Sequence, residues 1–422
     1  MKYAYDNSTG PVLILLTVAL ILISSGIVNA QEVCPSLPSP IPSPPPCPSL
    51  AEISEKWDLW RVGTCLRGAN IWQKRVARDD RMGHGPVGPP YAQRSFDRLA
   101  SWGANYVNIS HPGIFSERPD SGGNYHLEDG VLNNLRDLID KAQRAGLMVV
   151  VSYRTGPGRN EAVFVEEGEG ALLKKVWSDK KAQDAWVEMW RQTARALKDK
   201  ENVVGYDLMV EPGGFREGNQ RTKWNALAER LIAAIREEDR RTPILIGPAD
   251  GSVVDALGFA VPNGDAKTVY AVHQYRPDEY AQAEEGAAID FPGGVATMPT
   301  YLQALYDRVA QFRTGHANVP VAVNEFGAVR YAPRAECYVQ LQADLIERLG
   351  ANHALWLWET DWDICYDQFN FRNGPDPQHH AEVEDENSEL IRAIKYVWRR
   401  NTLDVRATMR KFVTSITPPP SE

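Results

Sequence analysis

Eight short apolar runs, each bounded by glycine, proline or polar clusters, are spread along the body of the chain. They fall at residues 65–71, 106–110, 147–153, 203–210, 244–247, 269–274, 321–325 and 353–358. Each is nearly continuous rather than alternating, which is the pattern of a strand buried on both faces. Between the runs the period changes. Val131, Leu135, Leu138, Ile139 and Ala142 share one helical face, and so do Trp224, Leu227, Leu231, Ile232 and Ile235. Leu341, Leu345, Ile346 and Leu349 repeat the pattern. Gly103, Gly146 and Gly350 stand where a helix should end and a strand begin, as capping glycines do. Eight strand–helix units predict an α/β fold of the closed (β/α)8 barrel type rather than an open sheet. The segment 66–72, LRGANIW, lacks the glycine fingerprint of a dinucleotide-binding first strand.

The N-terminal stretch follows different rules. An apolar run at 12–28 follows a short start carrying Lys2, and Val28-Asn29-Ala30 fits the small-x-Ala pattern of a cleavage site. Residues 1–30 therefore predict a signal peptide. The alternative is an uncleaved anchor tethering the protein to a membrane through residues 12–28, a run at the short limit of a span. Both readings place the body outside the cytoplasm. Residues 31–50 are too rich in proline for helix or sheet and predict an extended linker. The barrel is expected over 51–412 and a flexible tail over 413–422, with no separate carbohydrate-binding domain after residue 412. In an oxidising compartment Cys34 and Cys47 are expected to pair with each other or with Cys65, and Cys337 with Cys365.

Net charge and composition narrow the function. The chain carries a net charge of −9 without a block of Lys or Arg, which argues against a nucleic-acid partner. Twelve Trp and sixteen Tyr are plentiful; most of the Trp are expected in the core, but flat aromatic faces also suit carbohydrate rings. In a (β/α)8 barrel the chemistry sits on the strand-to-helix loops at the C-terminal face. Here the loops spanning roughly 72–90, 154–178, 275–299 and 359–387 are the long ones, and they carry Trp72, Tyr91, Tyr275, Trp362, Tyr366, Phe369 and Phe371. Glu211 follows the fourth apolar run and Glu325 ends the seventh. Two carboxylates facing each other across a barrel mouth are the equipment of glycoside hydrolysis. One donates a proton to the leaving oxygen and the other attacks the anomeric carbon. Asp361, Asp363 and Asp367, with Glu359 nearby, lack the regular spacing of a calcium loop, and His379-His380 lies in a charged stretch. Neither group predicts a metal site, and no cofactor is expected.

Four strand-end motifs in the expected order resemble the cellulase-like family 5 glycoside hydrolases, within the clan of retaining (β/α)8 glycosidases. Val210-Glu211-Pro212 is similar to the family's Asn-Glu-Pro, which carries the acid/base. Glu325-Phe326-Gly327 is similar to its nucleophile motif, His273-Gln274-Tyr275 to its His-x-Tyr pair, and Trp358 to its sugar-stacking Trp. The opening Arg67-Gly68-Ala69-Asn70 resembles the family's RGxN. The resemblance covers residues 51–412 and implies Glu211 as acid/base and Glu325 as nucleophile. It implies substrate contacts from His273, Tyr275 and Trp358. Tyr275 is expected to hydrogen-bond the nucleophile, and His273 to orient the acid/base or to donate to a sugar hydroxyl. Strand alternation would place Trp356 in the layer beneath Trp358.

Three positions depart from the family pattern. Asn108 stands where the family has an Arg, Tyr153 where it has a His, and Val210 where it has the Asn that binds the substrate 2-hydroxyl. Asn108, Tyr153 and the nearby His111 are therefore expected to line a modified substrate site, together with Trp72. The resulting expectation is an exported, monomeric retaining glycosidase of β-linked oligo- or polysaccharides. The competing reading is a relative that binds glycans without cleaving them.

Overall fold

The computed structural model describes residues 34–37, 45–75, 87–88, 90–164, 175–213, 220–259, 264–283, 289–358, 368–373 and 388–414. The chain divides into a segment ending at Cys34 and a unit beginning at Pro35, and the account below concerns the second. The expected signal peptide or anchor, the acidic group at 359–367, His379-His380 and Cys365 lie outside the described residues. Parts of the linker and tail do too. The described helices include none long and apolar enough to cross a membrane.

Eight strands close into a barrel in sequence order. They are β1 (Arg67–Trp72), β2 (Tyr106–Pro112), β3 (Met148–Thr155), β4 (Val203–Asp207), β5 (Ile244–Ile246), β6 (Thr268–Gln274), β7 (Val321–Phe326) and β8 (Asn352–Leu355). Every neighbouring pair is parallel, including β8 with β1. All eight expected strands are present, with helices such as Asp129–Ala145, Lys180–Leu197, Gln220–Glu238 and Ala335–Arg348 packed outside. Gly146 caps the first of these in the left-handed conformation, φ 80°, and frees the chain to enter β3. Two strands stop three residues earlier than the apolar runs suggest. β4 ends at Asp207 rather than at 210, and β8 ends at Leu355 rather than at 358.

Because alternate strand residues face opposite sides, the barrel interior fills in layers. The lower layers are apolar and include Leu66, Tyr106, Met148, Val150, Val204, Leu245, Val269, Ala322 and Ala354. Ile53, Leu59 and Trp60 belong to the same cluster, and the Trp60 indole donates to the Val204 carbonyl at 2.9 Å. Each buried Val, Leu, Ile or Met among them contributes about 1.5–3 kcal/mol by leaving water. The Cys47–Cys65 disulfide, Cα–Cα 4.9 Å, ties the end of the proline-rich segment to the entry of β1. This is one of the two partners expected for Cys47.

Above the apolar layers lies a polar floor drawn from five strands. Asn108 donates to Asn70 Oδ1 at 2.7 Å, and Ser152 donates to Asn108 Oδ1 at 2.7 Å and to Asp207 Oδ2 at 3.1 Å. Asn324 donates to the same Asp207 oxygen at 2.6 Å, and Asn70 donates to the Asn324 carbonyl at 2.8 Å. Strands β1 and β2 approach closely to form this arrangement. A Cβ added at Gly68 would lie 1.7 Å from the Tyr106 carbonyl oxygen. Gly68→Ala should therefore lower stability by about 3 kcal/mol or more. Urea unfolding of the purified variant measures this, and an unchanged midpoint would contradict it.

Candidate active site

Glu211 and Glu325 meet at the C-terminal mouth of the barrel. One oxygen from each carboxylate and a ring nitrogen of His273 all lie within 4.8 Å of one another. His273 Nδ1 stands 2.8 Å from Glu211 Oε1 and 3.3 Å from Glu325 Oε2. Tyr275, just beyond β6, donates its hydroxyl to Glu325 Oε2 at 3.1 Å. Two register shifts make this possible, between Val272 and His273 and between Val323 and Phe326. The second lets the consecutive residues Asn324 and Glu325 serve the floor and the mouth in turn.

The two carboxylates differ in exposure. The Glu325 side chain is 4 % exposed and that of Glu211 is 27 % exposed, so Glu211 is the one open to an entering molecule. Glu211 also holds a left-handed backbone, φ 50°, which costs a non-glycine residue about 1–2 kcal/mol and persists only where neighbours enforce it. The enforcing neighbour is Arg159, buried completely, which donates to the carbonyls of Val210 and Glu211 at 2.9 and 3.0 Å.

Burial dominates the titration of the group. It pulls the His273 pKa down, yet the charges of Glu325 and Glu211 outweigh it and raise the imidazole to about 8. Burial works to raise Glu211 as well, but the hydrogen bond and charge of His273 hold that carboxyl below its ordinary value. Glu325 is raised by burial; His273 opposes the rise and the charge of Glu211 adds to it. Beneath them, burial pushes Asp207 up to about 7. The raised pKa favours an imidazolium at His273 near neutral pH, between the two carboxyl groups. Three oxygen or nitrogen donors at this spacing could admit a cation, but here they already satisfy one another.

The structure moves several expected substrate contacts away from this group. Tyr153 faces outward, hydrogen-bonding Thr193 at 2.6 Å and packing on Trp190, because strand parity turns Ser152 and Arg154 inward instead. His111 also faces outward, with Nε2 2.9 Å from Asn134 Oδ1 on a surrounding helix, and burial lowers its pKa to about 4. Asn108 faces inward and is fully buried in the floor, donating to Asn70. Trp358 is wholly buried against Trp102, Trp398 and Phe371. Since β8 ends at Leu355, alternation no longer relates Trp356 to Trp358. Trp356 is not a layer beneath it but lies on the opposite side, its ring 5.1 Å from the Arg154 guanidinium.

Of the remaining expectations, His273 and Tyr275 join the pair directly. Trp72 stands beside it, its indole donating to Glu161 at 3.2 Å. Reading along the sequence missed Arg159, Glu161 and the floor residues Ser152, Asp207 and Asn324, and it gave no site role to Arg154, Trp356 or Asn70. The signal for the floor was one isolated polar residue within each of several apolar strands.

Comparison with known proteins agrees with this architecture. The family model described as cellulase (glycosyl hydrolase family 5) matches residues 76–361. The chain belongs to that family. Among curated relatives, a beta-xylosidase of Phanerodontia chrysosporium is 26% identical over 36% of this chain and 32% of its own length. Endoglucanase C of Acetivibrio thermocellus is 24% identical over 44% of this chain and 50% of its own length. The chain therefore spans about a third to a half of the length of these relatives. Among solved structures, endoglucanase Cel5A of Thermotoga maritima superposes with a TM-score of 0.60 at 19% identity. That alignment covers 81% of this chain and 99% of the other.

The imidazolium bridge has a pH signature. A His raised from 6.5 to about 8 on folding stabilises the protein fully below about pH 6.5, and the contribution is lost as pH rises through about 8. Wild type should lose about 2 kcal/mol more than His273→Gln between pH 6 and 9. Urea unfolding across that range tests it, and parallel curves would contradict it.

Proposed function

We propose that the protein is an exported retaining glycosidase that cleaves β-glycosidic bonds in oligo- or polysaccharides by double displacement. The observation that carries this reading is the approach of the Glu211 and Glu325 oxygens to within 4.8 Å, which suits direct attack by one carboxylate. Inverting enzymes need a wider gap to hold a water between the two. Membership of the cellulase family and the curated relatives with endoglucanase names support β-glycans as the substrate class. The single barrel acts as a monomer outside the cytoplasm, delivered by residues 1–30 and set off by the linker at 31–50.

In the first step the Glu325 carboxylate forms a bond to the anomeric carbon as the glycosidic bond breaks. Glu211 passes its proton to the departing oxygen. In the second step Glu211 takes a proton from water, whose oxygen replaces Glu325 on the sugar. Attack requires Glu325 ionised and Glu211 protonated, whereas His273 favours an ionised Glu211. Substrate supplies the change. A glycan covering the exposed face of Glu211 removes its water and disfavours its charge, while Tyr275 and His273 remain on Glu325 to favour the anion. Val210 brings no hydrogen bond to the sugar 2-hydroxyl, so this contact must come from another side chain.

Replacing either glutamate should fail in a distinct way. Glu325→Ala should abolish turnover of natural and activated substrates alike. Glu211→Ala should slow a natural glycan by roughly 10²–10⁴-fold. An aryl glycoside with a good leaving group should still form glycosyl-enzyme in that variant, and added azide should restore its turnover. Steady-state rates on a glycan panel and on aryl glycosides measure this. A wild type that binds oligosaccharides without cleaving any would establish the glycan-binding alternative, and full activity in Glu325→Ala would refute the site.

A further inference from the structure

Strand β3 delivers a cation to the mouth that holds the carboxylate pair, and its surroundings hold it in one place. Arg154 follows Tyr153, so parity points it into the barrel mouth, where its side chain is 3 % exposed. Its guanidinium donates Nε to Glu161 Oε1 at 3.0 Å and Nη2 to Oε2 at 3.3 Å, a two-pronged pairing that fixes orientation as well as position. Three rings surround it, with centroids 4.0 Å away at Phe164, 5.1 Å at Trp356 and 5.7 Å at Trp72. The Trp72 indole donates to the same Glu161 oxygen, and so fixes the anion that aims the cation. The Arg154 carbonyl accepts a hydrogen bond from Arg159, the side chain that also holds the main chain of Glu211.

We infer that Arg154 is a positioning residue for the pair, supplying from β3 the fixed positive charge that two adjacent carboxylates require, with Glu161 and Trp72 serving to aim it. This rests on the reading of Glu211 and Glu325 as the catalytic pair. A clamp that only fastened the loop after β3 would need the Glu161 contact but not the inward face. Arg154 instead favours the ionised form of both Glu211 and Glu325 and opposes the rise of Tyr275. The other groups facing the pair are His273 and Tyr275 from the β6 side, Asp207 beneath on β4, and Arg159 and Glu161 beyond β3. Among these, His273 is a cation that deprotonates near pH 8. Arg154 keeps its charge at every working pH.

The test is a carbon-13 titration of glutamate-labelled full-length protein. Signals of the pair are assigned with Glu211→Gln and Glu325→Gln. Arg154→Met should raise the carboxyl pKa values of the pair by about one pH unit or more, as expected for loss of a neighbouring opposite charge. Arg154→Lys should recover most of the shift. In kinetics the acid limb of kcat/KM should move upward with it, lowering kcat/KM at pH 5 about tenfold in the Met variant. Arg154→Gln, which keeps an amide for Glu161, provides a second neutral variant if Met impairs folding. Carboxyl titrations equal to wild type in a folded neutral variant would overturn the inference, even if thermal stability had fallen. If wild type cleaves no glycan, the catalytic reading fails while the titration still decides the role of Arg154.

Discussion

Two carboxylates placed within 4.8 Å of each other repel strongly, and Glu325, almost wholly buried, has little water to relieve its charge. The surrounding structure answers that constraint. His273 inserts one nitrogen between them, Arg154 and Arg159 bring fixed cations from β3 and the turn beyond it, and Tyr275 donates to the more buried partner. Each of these side chains would be costly if left alone in the interior. Together they form a compensated group in which small changes in solvent access move a proton. Such a balance suits a carboxyl that must give up a proton and regain it within one reaction cycle.

The polar floor extends the same logic downward. Asp207 is buried with a pKa pushed up to about 7, and it accepts from both Ser152 and Asn324. Asn324 precedes Glu325 on β7, so the floor sets the height and angle of the carboxylate above it. The apolar layers beneath, with Trp60 at their lower end, supply the rigidity. Glu325 and His273 are thus built on strands, whereas Glu211 lies just past the end of β4 and is held there by Arg159.

How legible this was in the sequence depended on the kind of signal. The eight strands announced themselves because parallel strands buried on both faces are continuous apolar runs, and Glu211 and Glu325 stood out as charges at the ends of two of them. Direction was harder to read. Strand side chains alternate, so a slip of one position exchanges inside for outside. That slip assigned to Tyr153 the inward place that Arg154 holds, and it gave His111 a role in the mouth although its neighbours Ser110 and Asn108 share the other parity. For Trp358 the cause differs: β8 ends at Leu355, and an alternation carried past a strand's end has no basis. Register shifts in β6 and β7 were equally invisible, since no residue type marks them there. Asn70, Asn108, Ser152 and Asp207 did carry a usable cue, because each is a polar residue within an apolar strand and they mark the inward face together.

The central claim is that Glu325 bonds covalently to the sugar while Glu211 handles the proton. Its most direct measurement is mass spectrometry of the wild-type enzyme after incubation with a 2-deoxy-2-fluoro glycoside bearing a good leaving group. Fluorine at that position slows both steps, and the activated leaving group lets the first outrun the second. The account predicts one fluoroglycosyl adduct per chain, carried on the peptide containing Glu325 through an ester to its carboxylate. An adduct on Glu211 or elsewhere, or turnover of natural glycan by an enzyme that never forms an adduct, would contradict it.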